Sequence, residues 1–476
     1  MSEKAKQTAF EWVDKNQEML AEISDKIWEY AELGYVEFKS AELLADELEK
    51  HDFKVEREVA GIPTAFVGTW GGGEPVIGIM GEYDALPGLS QKAVPEKDPI
   101  KKGGPGHGCG HNIHGTSGLG GAIALRYAME KAGIEGTIKF FGCPAEEMLS
   151  GKVWMVREGL FDGVEAVLSH HPSSMNVANL RSSNANNAVK FHFHGKTAHA
   201  AGSPEQGRSS LDAIELMNIG VNFLREHVIQ DARIHYVIEE GGGQPNVVPD
   251  YARSWYLVRA PERDQLEPIY QRILKIAEGA AMMTDTELEV EFIKGIYNKM
   301  PSKTLSDAVT ENMRKIGPPE YTDEEMQFAE KIAESISKED KRNTLWKSKR
   351  PNWEKLMDVL IDRSVPDAWD EGEVSHGSTD VSDVSWQCPT MEFSTSTYVI
   401  GTPGHSWQNV AISGMSIGHK SLFFASKVIA ATGIDLLTQP DMRKEAWDEL
   451  ERRKAGRQYK SPIPDDLDPP LDQWKK

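Results

Sequence analysis

The fold is narrowed most by a set of short apolar runs closed by glycine or proline. Residues 76–80 read Val-Ile-Gly-Ile-Met, and residues 138–141 and 166–168 are of the same kind. A strand buried on both faces reads as an unbroken apolar run, whereas a half-exposed strand alternates. Between the first two runs, residues 115–132 are long enough for a helix. Strand, helix, strand with such strands predicts α/β architecture: a mainly parallel sheet covered by helices. Upstream, Trp12, Met19, Ile23 and Ile27, then Leu43, Leu44 and Leu48, recur at helical spacing. They predict two helices over 9–50, broken at Gly34.

A different unit follows. Residues 189–194 alternate apolar and polar. Then come a helix pattern at 209–228, strand patterns at 234–238 and 252–258, a helix at 263–283 and a strand at 287–293. This order is the split βαβ arrangement of a ferredoxin-like α+β domain. Helical and sheet-like patterns resume after it, so the division is 1–185 and 297–476 for one domain and 186–296 for an inserted one. Helices are expected at 300–316 and 324–335. Residues 318–375 are charged, contain Pro351 and Pro366, and are expected to form an irregular excursion. A strand is expected at 391–400 and a helix at 416–432. The last twenty residues carry Pro462, Pro464, Pro469 and Pro470 and are expected to lie extended on the surface.

Composition excludes some partners. With 74 acidic and 53 basic residues the formal charge is -21. Phosphate backbones need a basic surface, so nucleic acid is an unsuitable partner. A locally basic pocket for an anionic substrate remains compatible. The acidic stretches 320–325 and 465–468 read as a solvated face and a polar tail. Residues 1–8 lack a signal-peptide core, and no apolar run is expected to reach the ~18–20 residues of a membrane span. Three cysteines do not make a disulfide framework. The expectation is a reduced, cytoplasmic protein without a membrane partner.

Metal-ligand residue types stand where the strands are expected to end. Met80 leads into Gly-Glu-Tyr-Asp at 81–84, and Phe141 into Gly-Cys-Pro-Ala-Glu-Glu at 142–147. Leu168 leads into Ser-His-His-Pro at 169–172, and Ile400 into Gly-Thr-Pro-Gly-His at 401–405. Open α/β sheets bind ligands outside the carboxyl ends of their strands. One such histidine alone reads as a hydrogen-bonded core residue; four decorated strand ends point to a shared centre. The loop Gly-His-Gly-Cys-Gly-His-Asn at 106–112 adds a thiol. Its glycines let the chain turn tightly, so Cys109 and His111 can face one site. Thiolate, imidazole and carboxylate suit zinc or, with more oxygen ligands, manganese. Of the pair Glu146-Glu147, one carboxylate can bind metal while the other takes a proton from an acidified water. A papain-like Cys109 nucleophile is the rival reading, but it has no use for the additional carboxylates and histidines.

Gly-Glu-Tyr-Asp-Ala-Leu-Pro at 81–87, the 106–112 loop, Pro-Ala-Glu-Glu at 144–147 and Gly-Thr-Pro-Gly-His-Ser-Trp-Gln at 401–408 carry a resemblance. So do Gly-Lys-Thr-Ala-His-Ala-Ala at 195–201, Pro-Asn-Val-Val at 245–248 and Ser-Thr-Asp-Val-Ser-Asp-Val-Ser-Trp at 378–386. Together they resemble the aminoacylase/carboxypeptidase superfamily of dinuclear metallohydrolases, in its amidohydrolase branch with the auxin-conjugate hydrolases. The similarity covers nearly the whole chain. It implies hydrolysis of an amide on the amino group of an amino acid, with p-aminobenzoyl-glutamate the leading substrate. Other N-acyl amino acids or dipeptides, and a non-catalytic subunit, are the alternatives.

The resemblance also implies roles. Cys109, His111, Glu147, His171 and His405 match metal ligands for two divalent ions, manganese ahead of zinc, with His170 the lesser choice beside His171. Glu146 matches the general base. Asp84 matches an acid that orients a ligand histidine. His199, in the inserted lid domain, matches a histidine that reaches a partner subunit's site and steadies the oxyanion. Asn246 and Arg259 match substrate-binding lid residues for the carbonyl or α-carboxylate. A homodimer through the lid is implied, and a heteromeric A subunit is a further candidate partner. Two departures bear on the metal: Glu82 stands where many members have a histidine ligand, and His111 where they have a bridging aspartate. His107 and His114 read as supporting or structural.

Overall fold

The N-terminal helical pattern resolves into three helices, α1 (Ser2–Lys15), α2 (Gln17–Tyr30) and α3 (Phe38–Lys50), in a computed structural model that describes residues 2–375 and 377–474. The expected first helix is therefore two, interrupted at Asn16, whose side-chain amide donates to the Trp12 carbonyl at 2.7 Å. The chain then enters its main sheet through β1 (Lys54–Arg57) and β2 (Phe66–Gly72), and continues with β3 (Val76–Glu82), β4 (Gly136–Cys143) and β5 (Ala166–Ser173). Short β6 (Ser182–Ser183) pairs in parallel with β11 (Val374–Ser375), and β12 (Thr390–Ser396) completes the main sheet. The order is β1-β2-β4-β3-β5-β12. β4, β3, β5 and β12 run parallel, and β1 and β2 form an antiparallel edge. The sheet is mainly parallel, as its apolar runs predict: Ile77, Ile79, Ile138, Phe140 and Leu168 are fully buried.

Helix α4 (His111–Ala132) lies against β3 at very close range. A Cβ on Gly115 would stand 2.6 Å from the Glu82 carbonyl oxygen, and one on Gly118 2.7 Å from that of Met80. Its other side packs on α13 (Ser416–Thr438), where Gly121 faces Ile429. α13 has the length and apolarity of a membrane span, contrary to the reading that no run reaches it, yet 83% of its apolar window is buried inside the fold. A helix apolar all round belongs in a core.

The interval 185–296 holds β7 (Ala185–His194), α6 (Ser210–Leu224), β8 (Arg233–Glu240), β9 (Tyr251–Ala260), α7 (Arg263–Thr284) and β10 (Glu287–Ile296). Its strands form an antiparallel sheet of order β10-β7-β9-β8. Phe191, Phe193, Tyr256 and Val258 are buried together with the apolar sides of α6 and α7. Lys190, Trp255 and Glu291 line a cavity on the sheet's other side. β10 is interrupted by a bulge between Phe292 and Lys294.

Three local expectations need correction. The stretch 318–375 is more regular than its composition suggests, since beyond the expected helix at 324–335, α9 (Asp323–Glu334), it contains α10 (Lys338–Lys347). The acidic run 320–325 is not simply a solvated face. Glu325 is 5% exposed, closes a capping box with Thr322, and meets Lys420 at 2.6 Å. β12 ends at Ser396, so His405 belongs to a loop beyond the strand. After α14 (Pro440–Lys454) the described residues of the tail form no further helix or strand, but the tail is fastened at several points. Tyr459 donates to Asp383 at 2.9 Å, the Leu467 carbonyl accepts from Arg157 at 2.8 Å, and Trp474 donates to the Gly34 carbonyl at 2.8 Å.

Candidate metal centre and active site

The main-sheet connections and strand β5 deliver the site. β3 ends on Glu82, and Asp84 follows two residues later. Gly110, at φ +79°, turns the chain into α4 so that His111 opens the helix and Cys109 sits just before it. After β4, Ala145 adopts a left-handed φ of +57° and leads into a 3-10 turn holding Glu146 and Glu147. That backbone costs a non-glycine residue about 1 kcal/mol or more. It is held by Glu37, which accepts from the Ala145 N–H at 2.8 Å and from Thr64 Oγ1 at 2.9 Å. His170 and His171 lie within β5, where neighbouring side chains point to opposite faces.

Cys109 Sγ is 3.4 Å from His171 Nε2. His171 Nδ1 is 2.9 Å from the Pro172 carbonyl oxygen, to which it donates, leaving Nε2 free of a proton in the neutral ring. His111 is set the same way: its Nδ1–H faces Asp84 Oδ1 at 2.8 Å. The second Asp84 oxygen accepts from the Glu147 N–H at 2.9 Å, so one carboxylate aligns both neighbours. His405 Nε2 lies 3.5 Å from Glu147 Oε2, on a side chain 55% exposed. Donor atoms of Cys109, His111 and His171 lie within 4.8 Å of one another, and so do those of Cys109, Glu147 and His405. The two groups share the thiol. The structure thus brings together all five residues matched to metal ligands, with Glu146 and Asp84 beside them.

Among the described residues buried Glu147 Oε1 has no hydrogen-bond partner, and His111 Nε2, 3.3 Å from Glu82 Oε2, makes no hydrogen bond either. Such groups cost about 1–3 kcal/mol when left unsatisfied. A soft thiol, imidazole nitrogens and a carboxylate are a donor set that a divalent cation satisfies. The residues present therefore fit a metal.

Electrostatics agree. Burial, with Glu82, Asp380 and Glu147 adding to it, holds the Glu146 carboxyl well above its usual range. Burial likewise pushes Glu147 up to about 7, against the pull of His111. Burial and Glu147 raise the Cys109 thiol, opposite to the lowering that activates a nucleophilic cysteine. The papain-like reading loses its main requirement. Beneath the site, Lys152 Nζ lies 2.7 Å from Glu82 Oε1 and 2.6 Å from Asp380 Oδ1, all three buried. Burial alone would raise Glu82, but Lys152, His111 and His171 outweigh it and keep the group ionised.

Other histidines have structural explanations. His107 Nε2 donates to the Ile27 carbonyl at 2.9 Å. His170 sits between Ser117 and Thr395 at 2.9 and 2.7 Å. Glu82, His114 and Glu392 also cluster. However, His114 Nδ1 accepts from the Glu82 N–H at 3.0 Å, which puts the ring proton on Nε2 and removes it as a ligand atom. His199 and Asn246 are exposed and lie outside the donor groups. Their loops pair: Ala200 N–H donates to the Asn246 carbonyl at 3.0 Å. His199 Nδ1 accepts from Ala201 and Gly202, so Nε2 carries the proton. Arg259 is on β9, half-buried, close enough to depress the Lys294 ammonium. Sequence reasoning gave no role to Glu37, Lys152, Asp380 or Lys294. Only Asp380 lay in a quoted motif.

A cavity of about 730 Å³ opens beside Glu147. Its walls include Trp154, Trp255 and Lys294, and the C-terminal tail contributes Leu467 and Trp474. Residues 78–393 match the family described as Peptidase family M20/M25/M40. The chain belongs to that family. M20 membership makes it a hydrolase acting on amide bonds. It is 41% identical over 468 residues to the B subunit of p-aminobenzoyl-glutamate hydrolase from Escherichia coli, covering 96% of this chain and 97% of that one. It is 32% identical over 325 residues to a mouse Xaa-Arg dipeptidase, covering 66% and 72%. The fold matches the crystal structure of an aminobenzoyl-glutamate utilization protein from Klebsiella pneumoniae with TM-score 0.57 at 19% identity, covering 87% of this chain and 97% of that one.

Proposed function

We propose that this M20 chain hydrolyses the amide of an N-acylated glutamate, p-aminobenzoyl-glutamate first, releasing p-aminobenzoate and glutamate. The observation that carries the chemistry is the Cys109 thiol common to two donor groups, with the buried Glu146 alongside. The substrate is carried over from the relative that is 41% identical. Cys109, His111, Glu147, His171 and His405 would hold two divalent cations, manganese ahead of zinc. When bound, these supply polarisation of the amide carbonyl and a more acidic water.

The chain's own residues do the rest. Glu146 takes a proton from the attacking water and delivers it to the departing nitrogen, a transfer suited to a carboxyl whose surroundings favour holding the proton. Asp84 keeps His111 in the tautomer that leaves Nε2 free, and aligns the Glu147 backbone. The 186–296 unit is read as a ferredoxin-like lid and dimerisation domain. From it, His199 would donate its Nε2–H to the developing oxyanion in a partner subunit's site. Asn246 and Arg259 would hold the substrate carbonyl or α-carboxylate. The Escherichia coli relative is itself named as one subunit of its enzyme, which motivates a companion chain.

The test is hydrolysis of p-aminobenzoyl-glutamate by metal-depleted protein reloaded with manganese or zinc. Activity is expected with metal, and Glu146→Gln is expected to lower kcat by roughly 10²–10⁴-fold. A protein that binds metal yet forms no product, even with the companion chain added, would remove this substrate. An Xaa-Arg dipeptide belongs in the same assay, because the mouse relative favours that second reading.

A further inference from the structure

Lys294 is a half-buried cation at the candidate site that the matched family motifs do not account for. β10 departs from regular pairing between Phe292 and Lys294. Bulges of this kind re-aim a side chain and recur beside active sites. Here the Lys294 side chain reaches the loop that carries the two glutamates. Its Nζ donates to the Met148 carbonyl at 2.7 Å, one residue past Glu147, and Lys294 and Glu147 line the same cavity. An ammonium offers three N–H donors. Among the described residues Met148 supplies the one acceptor in hydrogen-bond reach, and no carboxylate oxygen comes within 4.0 Å of Nζ. The other lysine of the cavity differs: Lys190 has Glu239 at 3.3 Å and stands over the Trp255 ring.

An ammonium withdrawn from water with no carboxylate in direct contact is costly. Burial lowers Lys294 to about 8; Glu146 opposes the shift and Arg259 adds to it. The two cations thus lie close enough to repel each other. An N-acylated dicarboxylic amino acid presents two carboxylates to such a pair. We infer that Lys294 is a substrate-binding residue that receives the side-chain carboxylate of an acidic amino acid, while Arg259 takes the α-carboxylate. This rests on the N-acyl-glutamate reading and adds a determinant of amino-acid choice to it. A neutral side chain would leave the half-buried ammonium with a single carbonyl. That penalty selects against glutamine or alanine at this position.

The experiment compares N-(4-aminobenzoyl) derivatives of glutamate, glutamine and alanine on the metal-loaded full chain, its Lys294→Met variant and its Lys294→Arg variant. Lys294→Met is expected to raise KM for the glutamate compound roughly 10- to 100-fold, with little change for the other two, and Lys294→Arg to restore part of the preference. The same compounds are titrated calorimetrically into metal-loaded Glu146→Gln protein with and without Lys294→Met, so that the result does not depend on turnover. Binding preference for glutamate that vanishes in Lys294→Met supports the inference even if no compound is hydrolysed, in which case the hydrolytic reading alone fails. Hydrolysis with the preference intact in Lys294→Met, or lost equally for all three compounds, overturns the inference and leaves the hydrolytic reading standing. Absence of any preference for glutamate in the parent protein also overturns it.

Discussion

Two neighbouring carboxyls, Glu146 and Glu147, show how burial divides labour at the scale of single residues. Both are pushed up by desolvation, and Glu147 reaches about 7 from an ordinary 4.5. In metal-free protein the folded state therefore keeps a proton on Glu147 that the unfolded state has released. Between pH 4.5 and 7 the unfolded chain binds fewer protons, so this group's contribution to stability falls as pH rises. The ionised form is penalised by on the order of 3 kcal/mol. Denaturant unfolding of metal-free protein at pH 5 and pH 8 should find Glu147→Gln gaining on the parent at the higher pH. A difference that does not change with pH would refute this account. Which residues gather here was legible in the sequence, because each stands beside an expected strand end or in a motif of known type. The residues that support them were not. Glu37 and Lys152 act by folding onto the site from α3's N-terminal edge and from α5 (Gly151–Arg157), and neither carries a local pattern.

Among the elements, α4 has the tightest tolerance. Gly115 and Gly118 are there for proximity: carbonyls of β3 occupy the space a methyl group would need. Gly118→Ala should cost about 1–3 kcal/mol through overpacking. It should also weaken metal binding, because the helix must shift and His111 is its first residue. Gly72→Ala, where no atom lies within 4 Å of the added carbon, is the control. Chemical unfolding and metal titration of the two variants decide it; equal behaviour would mean that α4 yields without moving the ligand. Sequence periodicity found the parallel strands and the helices of the second unit because burial repeats along them. It found α9 but missed α10, which is polar on most of its surface and buries only Leu345. A helix held by one apolar contact and a serine cap gives little period to read.

At the scale of the whole molecule, the tail joins parts that are distant in the chain. From Tyr459 to Trp474 it touches α11 (Val381–Gln387) through Asp383, α5 through Arg157, and the turn at Gly34. It supplies part of the cavity wall. Removing residues 457–476 should lower Tm by several degrees, since a few lost anchors amount to ~1–3 kcal/mol. It should raise KM more than it lowers kcat, because no proposed metal ligand is lost. Calorimetry and steady-state kinetics check both, and an unchanged KM would free the tail from any part in the cavity. Its proline-rich sequence predicted an extended surface course, whereas Ile463 is buried in a core cluster and Leu467 and Leu471 pack against it; the anchors are single side chains whose targets lie hundreds of residues away. The cavity wall has one more consequence. Trp154, Trp255 and Trp474 surround the space beside Glu147, so the molecule carries its own optical reporter: an aromatic guest entering that space will alter indole emission, and occupancy can be followed without a label.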